Sequence, residues 1–422
     1  MIARTLLSAL LGRVRAGRIE LVEPDGRRAL GPPDAELQAT IHVHDPSFWR
    51  SLLRGSRGLG ESYAAGAWDC DDLVRLVRIA AREVTRLDRL RAPLASLRNR
   101  LTRVPPNSRA GARRHIGAHY DLGNELFALF LDDTMTYSCG IFENGETSLR
   151  EAQEAKLDLV CRKLELRPDD HLVEIGSGWG SLALHAAGNY GCRVTTATIS
   201  PAQLELATAR VREAGLEDRV DVVLRDYRDL RGRHSKLASI EMIEAVGWQY
   251  FDTFFARCSR LLEPDGLMLV QAITIDDAAY EIEKGARSFA NELIFPGGCL
   301  PSQEVIRHAT DRVTDMRILD VEDITASYPQ TLRHWRENWL AAAGQAERLG
   351  ADRRFRRLFE LYFAWSEGGF TERRIQDVQV LFAKPAYRGS RVNMERETAS
   401  KSAAGPREAS LASASRPPGP ST

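Results

Sequence analysis

The sequence predicts an α/β fold, a Rossmann-like sheet of seven mostly parallel strands joined to a small α+β N-terminal unit. The first observation is DHLVEIGSGWG (170–180), where a short apolar run stops at Gly176, Gly178 and Gly180. Glycines permit a tight turn and a close ligand approach, and the helix that follows offers unpaired N–H groups. The second observation is alternation. Strand-like runs at 171–175, 192–199, 219–225, 237–243 and 266–275 are separated by helical ones, which means a parallel sheet with right-handed crossovers. The third is length: 422 residues hold one large domain and a smaller one.

In chain order, residues 1–17 place Met1, Ile2, Leu6, Leu7, Leu10, Leu11 and Val14 at helical spacing, with arginines between them. They read as an amphipathic helix, either packed on its own domain or lying on an anionic bilayer. Residues 18–22 and 39–43 alternate as strands. Residues 45–53 read as a helix with Asp45 as its N-cap, and the glycine-rich stretch from 58 as a turn leading into another helix. These make 1–81 an α+β domain able to associate with a membrane. Residues 82–114 carry ten arginines against two acids. They are expected as a linker with a cationic face, solvated or touching lipid phosphate.

The main domain is expected over 115–387. Its first helix places Leu122, Leu126, Phe127 and Phe130 on one stripe, TMTYSCGIF (134–142) is a loop, and 150–166 is a strong helix ending at Pro168. Two late runs, 317–324 and 377–383, complete the sheet. Residues 276–335 form an insertion holding FPGGCLPS (295–302) and an aromatic helix around Trp335 and Trp339, expected as a lid or substrate pocket. The tail over 388–422 is Ser, Ala, Arg, Pro and Gly, and is expected to be disordered.

Composition and spacing narrow the function. Zero net charge argues against a basic nucleic-acid binder. Six scattered cysteines, with no C-x-x-C and no zinc spacing, point to a reducing compartment and no metal. No run of about 20 apolar residues can span a membrane. A dinucleotide fold places an acid near the end of its second strand to hold the ribose. Here that end is Thr198-Ile199-Ser200, and the acid stands before the glycines as Glu174. This arrangement suits a cationic ligand better than a pyrophosphate, so the residues point to S-adenosylmethionine (SAM) and to methyl transfer.

Several motifs in one order resemble the cyclopropane-fatty-acyl-phospholipid synthase family of SAM-dependent methyltransferases, which includes the mycolic acid cyclopropane synthases. They are HYDLGNELFALFLDDTMTYSCGIF, EIGSGWG, ISPAQLELA, RDYRDL, SIEMIEAVGWQYFDTFF, IFPGGCLPS and YPQTLRHW, with GLGESYAAGAW resembling the family's N-terminal domain. The resemblance covers about 58–385. It implies methyl transfer to the double bond of an unsaturated acyl chain on a membrane phospholipid. A carbocation forms, and a base removes a proton from the new methyl to close a cyclopropane. It also implies that this base is a bound bicarbonate held by Cys139, Glu244, Tyr328 and the backbone amide of Ile273. Gln271 stands where the family has histidine; it can donate a hydrogen bond but relays no proton. Taken singly, Cys139 reads equally as an apolar filler and Glu244 as a helix cap. Ser366 replaces a cysteine found in some members.

For SAM, the resemblance implies Tyr137 and Ser138 near the carboxylate end. It puts Glu174, Gly176, Gly178 and Gly180 around the methionine moiety, Thr198, Ile199 and Gln203 at the ribose, and Asp226 and Tyr227 at the adenine. SIEMIEAVG with QAIT also resembles relatives that turn oleoyl lipids into methylene-branched chains, so ring and branch both stay open. A small-molecule methyltransferase and a non-catalytic lipid binder are the alternative classes. The implied partners are an unsaturated phospholipid and a peripheral membrane surface, with no nucleic acid and with a homodimer open. The implied location is cytoplasmic, on the inner face of the cell membrane.

Overall fold

The computed structural model describes residues 14–101 and 123–389, apart from the side chains of 89–94 and 96–101. Most of the expected first helix, the basic stretch over 102–114, Leu122 and the tail from 390 lie outside the described residues.

A four-stranded sheet comes first: β1 (Arg18–Glu23), β2 (Gly26–Leu30), β3 (Gln38–Val43) and β4 (Trp68–Cys70), in the order β2-β1-β3-β4. Ile19 and Leu21 on β1, with Ala39, Ile41 and Val43 on β3, are buried, as the period-two pattern requires. Three helices follow: α1 (Ser47–Leu52), α2 (Gly55–Ala64) and α3 (Leu73–Leu101). Asp45 does accept the Ser47 N–H at 2.7 Å, although Pro46 is the capping position.

Two expectations change here. The glycine-rich stretch is largely helix α2 rather than a turn. Its glycines serve close packing: a Cβ on Gly58 would lie 2.1 Å from the Ser51 carbonyl oxygen, and one on Gly60 would lie 2.3 Å from the Phe289 ring. The boundary drawn at 81/82 falls inside α3, whose Arg78 and Arg82 both bind Glu372, at 2.7 and 2.6 Å. Arg374 pairs with Asp88, and Arg57 with Glu292 at 2.6 Å. The N-terminal unit is therefore clamped onto the rest of the chain.

The main sheet comprises β5 (His171–Ile175), β6 (Arg193–Thr198), β7 (Val220–Leu224), β8 (His234–Ile240), β9 (Leu262–Ile275), β10 (Arg317–Asp323) and β11 (Ile375–Ala383). Its order is β10-β11-β9-β8-β5-β6-β7. Neighbours from β9 through β8, β5 and β6 to β7 are parallel, while β11 runs antiparallel to both β9 and β10. The seven-stranded, mostly parallel sheet expected from the sequence is thus formed. Leu172, Val173, Leu267, Met268, Leu269 and Val270 are wholly buried, since strands covered by helices on both faces become continuous apolar runs.

The helices of this part are α4 (Asn124–Ala128), α5 (Leu149–Lys163), α6 (Ser181–Tyr190), α7 (Pro201–Glu213), α8 (Phe251–Leu261), α9 (Asp277–Glu283), α10 (Gln303–Val313), α11 (Tyr328–Ala341), α12 (Ala343–Arg348) and α13 (Arg353–Thr371). One apolar cluster is continuous from Ile19, Trp68 and Leu76 of the N-terminal unit to Phe127, Trp335 and Phe363.

Candidate active site

The glycine turn leaves the centre of the sheet at the C-terminal end of β5. Gly176, Gly178 and Gly180 have φ of 96°, 49° and 87°, a region that side-chain-bearing residues rarely adopt. A Cβ on Gly176 would lie 3.0 Å from the Met242 side chain, whereas a Cβ on Gly178 would meet nothing within 4 Å. There is open space above Gly178, so the turn fits a ligand. On the adjoining β6, the Thr198 hydroxyl donates to the Gln203 side-chain oxygen at 2.8 Å. Ser200 caps α7 by accepting from the Gln203 N–H at 3.3 Å. Ile199 lies between them and is partly accessible.

Two expected cofactor acids are engaged elsewhere. Glu174 is buried and accepts from the Thr196 hydroxyl at 2.6 Å. Burial pushes its carboxyl up to about 8, with Thr196 and the buried Lys156 pulling the other way. Asp226 receives both the Nε and an Nη of Arg228, at 2.8 and 2.6 Å. Tyr227 packs on Phe254, and its buried hydroxyl makes no hydrogen bond.

The loop over 134–142 is held down by α5. This helix starts with a capping box in which Ser148 and Glu151 bond each other's backbone N–H. Its Gln153 donates to the Ser138 carbonyl, and the buried Lys156 donates to the Ser138 hydroxyl, both at 2.8 Å. A Cβ on Gly140 would lie 3.0 Å from Ala152, so a side chain here would push the loop off the helix by a few tenths of an ångström. Tyr137 hydrogen-bonds Tyr362 at 2.8 Å and joins an aromatic wall, with ring centroids 5.4 Å from Phe127 and 5.2 Å from Trp335. Trp179 packs 4.9 Å from Phe127. Ser366 lies on α13.

Cys139, Glu244, Gln271, Ile273 and Tyr328 do come together, at the C-terminal ends of β8 and β9. Three of them, Cys139, Gln271 and Tyr328, converge on a residue that the sequence analysis passed over. Glu241 follows β8 directly, with φ of +46°. Its Oε1 accepts from the Cys139 N–H and from the Gln271 amide, each at 2.8 Å, and its Oε2 accepts from the Tyr328 hydroxyl at 2.5 Å. Gln271 also donates to Asp377 at 2.9 Å and accepts from Gln379 at 3.0 Å. The Ile273 N–H donates to Glu244 Oε1 at 2.5 Å, while Glu244 Oε2 is buried without a partner. Burial and the nearby Glu241 push Glu244 up to about 8. Burial and Glu241 raise Asp377 well above the carboxylate range. Glu241 is raised by burial too, opposed by its Tyr328 and Cys139 bonds. The Cys139 thiol is raised by burial, with Asp377 and Glu241 adding to the effect; it stays protonated and is no nucleophile.

A free bicarbonate does not fit this donor set. Of the five groups expected around it, Cys139, Gln271 and Tyr328 donate to Glu241 and the Ile273 amide donates to Glu244, itself the fifth. Asp377 was also missed. The strand expected over 237–243 buried Glu241 inside an element, and Asp377 is brought here only by pairing between β9 and β11, opposite Ile273. A glutamate three residues before Glu244 was the one available signal. The insertion reaches the same place: the Cys299 N–H donates to the Glu244 carbonyl at 2.8 Å, and the Phe295 ring lies 5.4 Å from that of Tyr362. A separate cleft of about 460 Å³, lined by Arg233, Arg260, Arg312 and Lys384, shares no residue with this cluster. Among the described residues no group of side chains could hold a metal.

A glycine turn opening from an interior strand of such a sheet, beside a carboxyl cluster at the strand ends, is the arrangement of a class I SAM-dependent methyltransferase. The family model for mycolic acid cyclopropane synthetase matches residues 107–380. The chain belongs to this family, whose members are SAM-dependent methyltransferases of the cyclopropane-fatty-acyl-phospholipid synthase type. It is 38% identical over 365 residues to "Tuberculostearic acid methyltransferase UfaA1" of Mycobacterium tuberculosis, covering 83% of this chain and 84% of that protein. It is 36% identical over 359 residues to "Cyclopropane-fatty-acyl-phospholipid synthase" of Escherichia coli K12, covering 84% and 90%. The solved mycolic acid cyclopropane synthase CmaA1, complexed with SAH and CTAB, superposes with a TM-score of 0.60 at 30% identity, covering 64% of this chain and 98% of that one.

Proposed function

We propose that this enzyme methylates the double bond of an unsaturated acyl chain carried on a membrane phospholipid. SAM, bound at the glycine turn, supplies an electrophilic methyl group. The reading is carried by one observation: the Met242 side chain lies over the glycine turn, 3.0 Å from where a Cβ on Gly176 would stand, while the residue before it, Glu241, anchors the buried carboxyl cluster. A methyl donor at the turn and a proton acceptor in the cluster would thus be neighbours. The open space over Gly178 and the Thr198–Gln203 turn support cofactor contacts there, with Tyr137, Ser138, Gly180 and Ile199 beside them. Glu174 and Asp226 would shape the pocket through Thr196 and Arg228.

The chain's own groups have three tasks. The aromatic wall of Phe127, Tyr137, Trp179 and Trp335 keeps water from the carbocation, and ring faces stabilise positive charge within about 6 Å. The carboxyl cluster takes up the proton, which requires hydrogen-bond reach of the departing atom. Exposed Trp248 and Phe295 near the Glu244 segment give an acyl chain an apolar edge to cross from a lipid surface. Among the described residues no helix is long and apolar enough to cross a membrane; peripheral attachment at the cytoplasmic face is part of this proposal.

Closure to a cyclopropane is the first product reading. A methyl- or methylene-branched chain is the second, favoured by Gln271, whose amide holds Glu241 but relays no proton. The test is gas chromatography with mass spectrometry of lipids from a host expressing the gene. Acyl chains one carbon heavier, ringed or branched, are expected; an unchanged lipid profile refutes the function. Glu244→Gln is expected to lower turnover by about 100-fold with SAM affinity nearly unchanged in calorimetry. Equal loss of both would contradict its place beside the reacting chain.

A further inference from the structure

We infer that the proton acceptor of this enzyme is its own Glu241 carboxylate, and that the enzyme works without bicarbonate. The inference rests on the proposed methylation of an acyl double bond, because that reaction leaves a proton to be removed.

Three donors from three distant parts of the chain aim at a single point: the Cys139 N–H from the loop before α5, the Gln271 amide from β9, and the Tyr328 hydroxyl from α11. Donors gathered in this way bind an oxyanion. The oxyanion they bind is covalently attached. Glu241 fills both oxygen positions, Oε1 with two donors and Oε2 with one, so a second anion would find these donors spent. It would also face the carboxyl groups of Glu241, Glu244 and Asp377 at close quarters, with Lys156 the buried cation among them. The charge on Glu241 by itself, in a dry site, opposes a further anion beside it.

The backbone supports the same conclusion. A glutamate at φ +46° holds a conformation that suits glycine and is retained at functional sites at a cost. The cost is explained if the side chain is needed where this conformation sends it. Burial raises both Glu241 and Asp377, but the Tyr328, Cys139 and Asp377 hydrogen bonds and the Lys156 charge pull Glu241 back, whereas Glu241 adds to the rise of Asp377, so Glu241 is the readier of the two to ionise. Glu241 is partly accessible despite its depth.

The step balances. Methyl transfer breaks the S–CH3 bond of SAM and forms a C–C bond from the alkene π pair; S-adenosylhomocysteine leaves with the sulfur electron pair, and one positive charge stays on the acyl chain. For the ring, Glu241 takes a proton from the new methyl, which is bonded to the carbon beside the cation, and the electron pair of that C–H bond becomes the last ring bond. For a methylene branch, a hydride first shifts to put the cation on the carbon bearing the methyl, and the pair of the removed methyl C–H bond becomes the new π bond. Either way the acyl chain is neutral. Glu241 becomes a carboxylic acid and returns its proton to solvent when product leaves.

The test uses the full-length enzyme with vesicles of unsaturated phospholipid, in buffer stripped of carbon dioxide and then resupplied with bicarbonate. The wild-type rate is expected to be equal in both; a rate that falls on depletion and returns with bicarbonate overturns the inference. Glu241→Gln keeps the volume and removes the charge, and is expected to lose 100-fold or more in turnover while binding SAM normally by calorimetry. Retained turnover overturns the inference. Glu241→Gly suits the left-handed backbone and frees the donors, so added bicarbonate should raise its rate and leave the wild type unmoved. A readout independent of activity is the carbon-13 resonance of labelled bicarbonate. A bound signal is expected with Glu241→Gly only, and one with the wild type overturns the inference. If the wild type methylates no lipid, the proposed function falls and the assignment of Glu241 as proton acceptor falls with it, while the labelled-bicarbonate arm still decides whether Glu241 excludes bicarbonate from the site.

Discussion

Single residues carry the chemistry, and their legibility in sequence varied for physical reasons. Cys139, Glu244, Gln271, Ile273 and Tyr328 were found by motif resemblance and do converge. Glu241 was hidden because an apolar run through Met242 and Ile243 extends the apparent strand; the chain leaves β8 after Ile240, and only a left-handed backbone turns the glutamate inward. Asp377 was hidden because strand pairing, not spacing, brings it more than 100 residues to Gln271. Buried carboxyls also shape the response to pH. Glu174 is raised from 4.5 to about 8 by burial. The unfolded chain gives up this proton at lower pH than the folded one, so the stability it contributes is complete below about pH 4.5 and is lost as pH rises through 8. Glu174→Gln is expected to raise stability at pH 8 by on the order of 2–4 kcal/mol and to match the wild type near pH 4.5. Thermal unfolding from pH 4.5 to 8.5 measures it; parallel curves for the two proteins would contradict it.

At the scale of elements, helix α5 and helix α2 show what pattern can and cannot reveal. The α5 helix was legible from its periodicity, and its Ser148–Glu151 cap was written in the sequence. Ser148→Ala removes the side-chain acceptor and is expected to cost about 1 kcal/mol, read as a lower midpoint in denaturant with an unchanged slope. Because α5 holds the Ser138 loop, turnover should fall along with it. The α2 helix was misread because glycine is a poor helix former in isolation. Here the missing side chains admit Ser51 and Phe289, a packing term no local rule contains. Gly60→Val drives a branched side chain into the buried Phe289 ring, which is itself packed 5.4 Å from Trp365. A loss of about 1–3 kcal/mol is expected, and thermal unfolding checks it.

At the scale of the molecule, the fold class was plain because alternating strands and helices leave few arrangements open. The tie between the N-terminal unit and the main sheet was not, since ion pairs such as Arg82–Glu372 and Arg57–Glu292 join positions hundreds of residues apart. The shared apolar cluster predicts one cooperative unfolding transition in calorimetry; two resolved peaks would show the units melting separately. The antiparallel last strand has a further outcome during synthesis. In the described sheet β11 stands between β9 and β10. While the ribosome has yet to make residues 375–383, β10 has no partner strand and the long apolar β9 shows an open edge, the kind of surface that recruits other chains. A nascent chain must therefore hold five of its strands in waiting beside an unclosed seam, and a version stopped at residue 374 should collect in inclusion bodies instead of the soluble fraction.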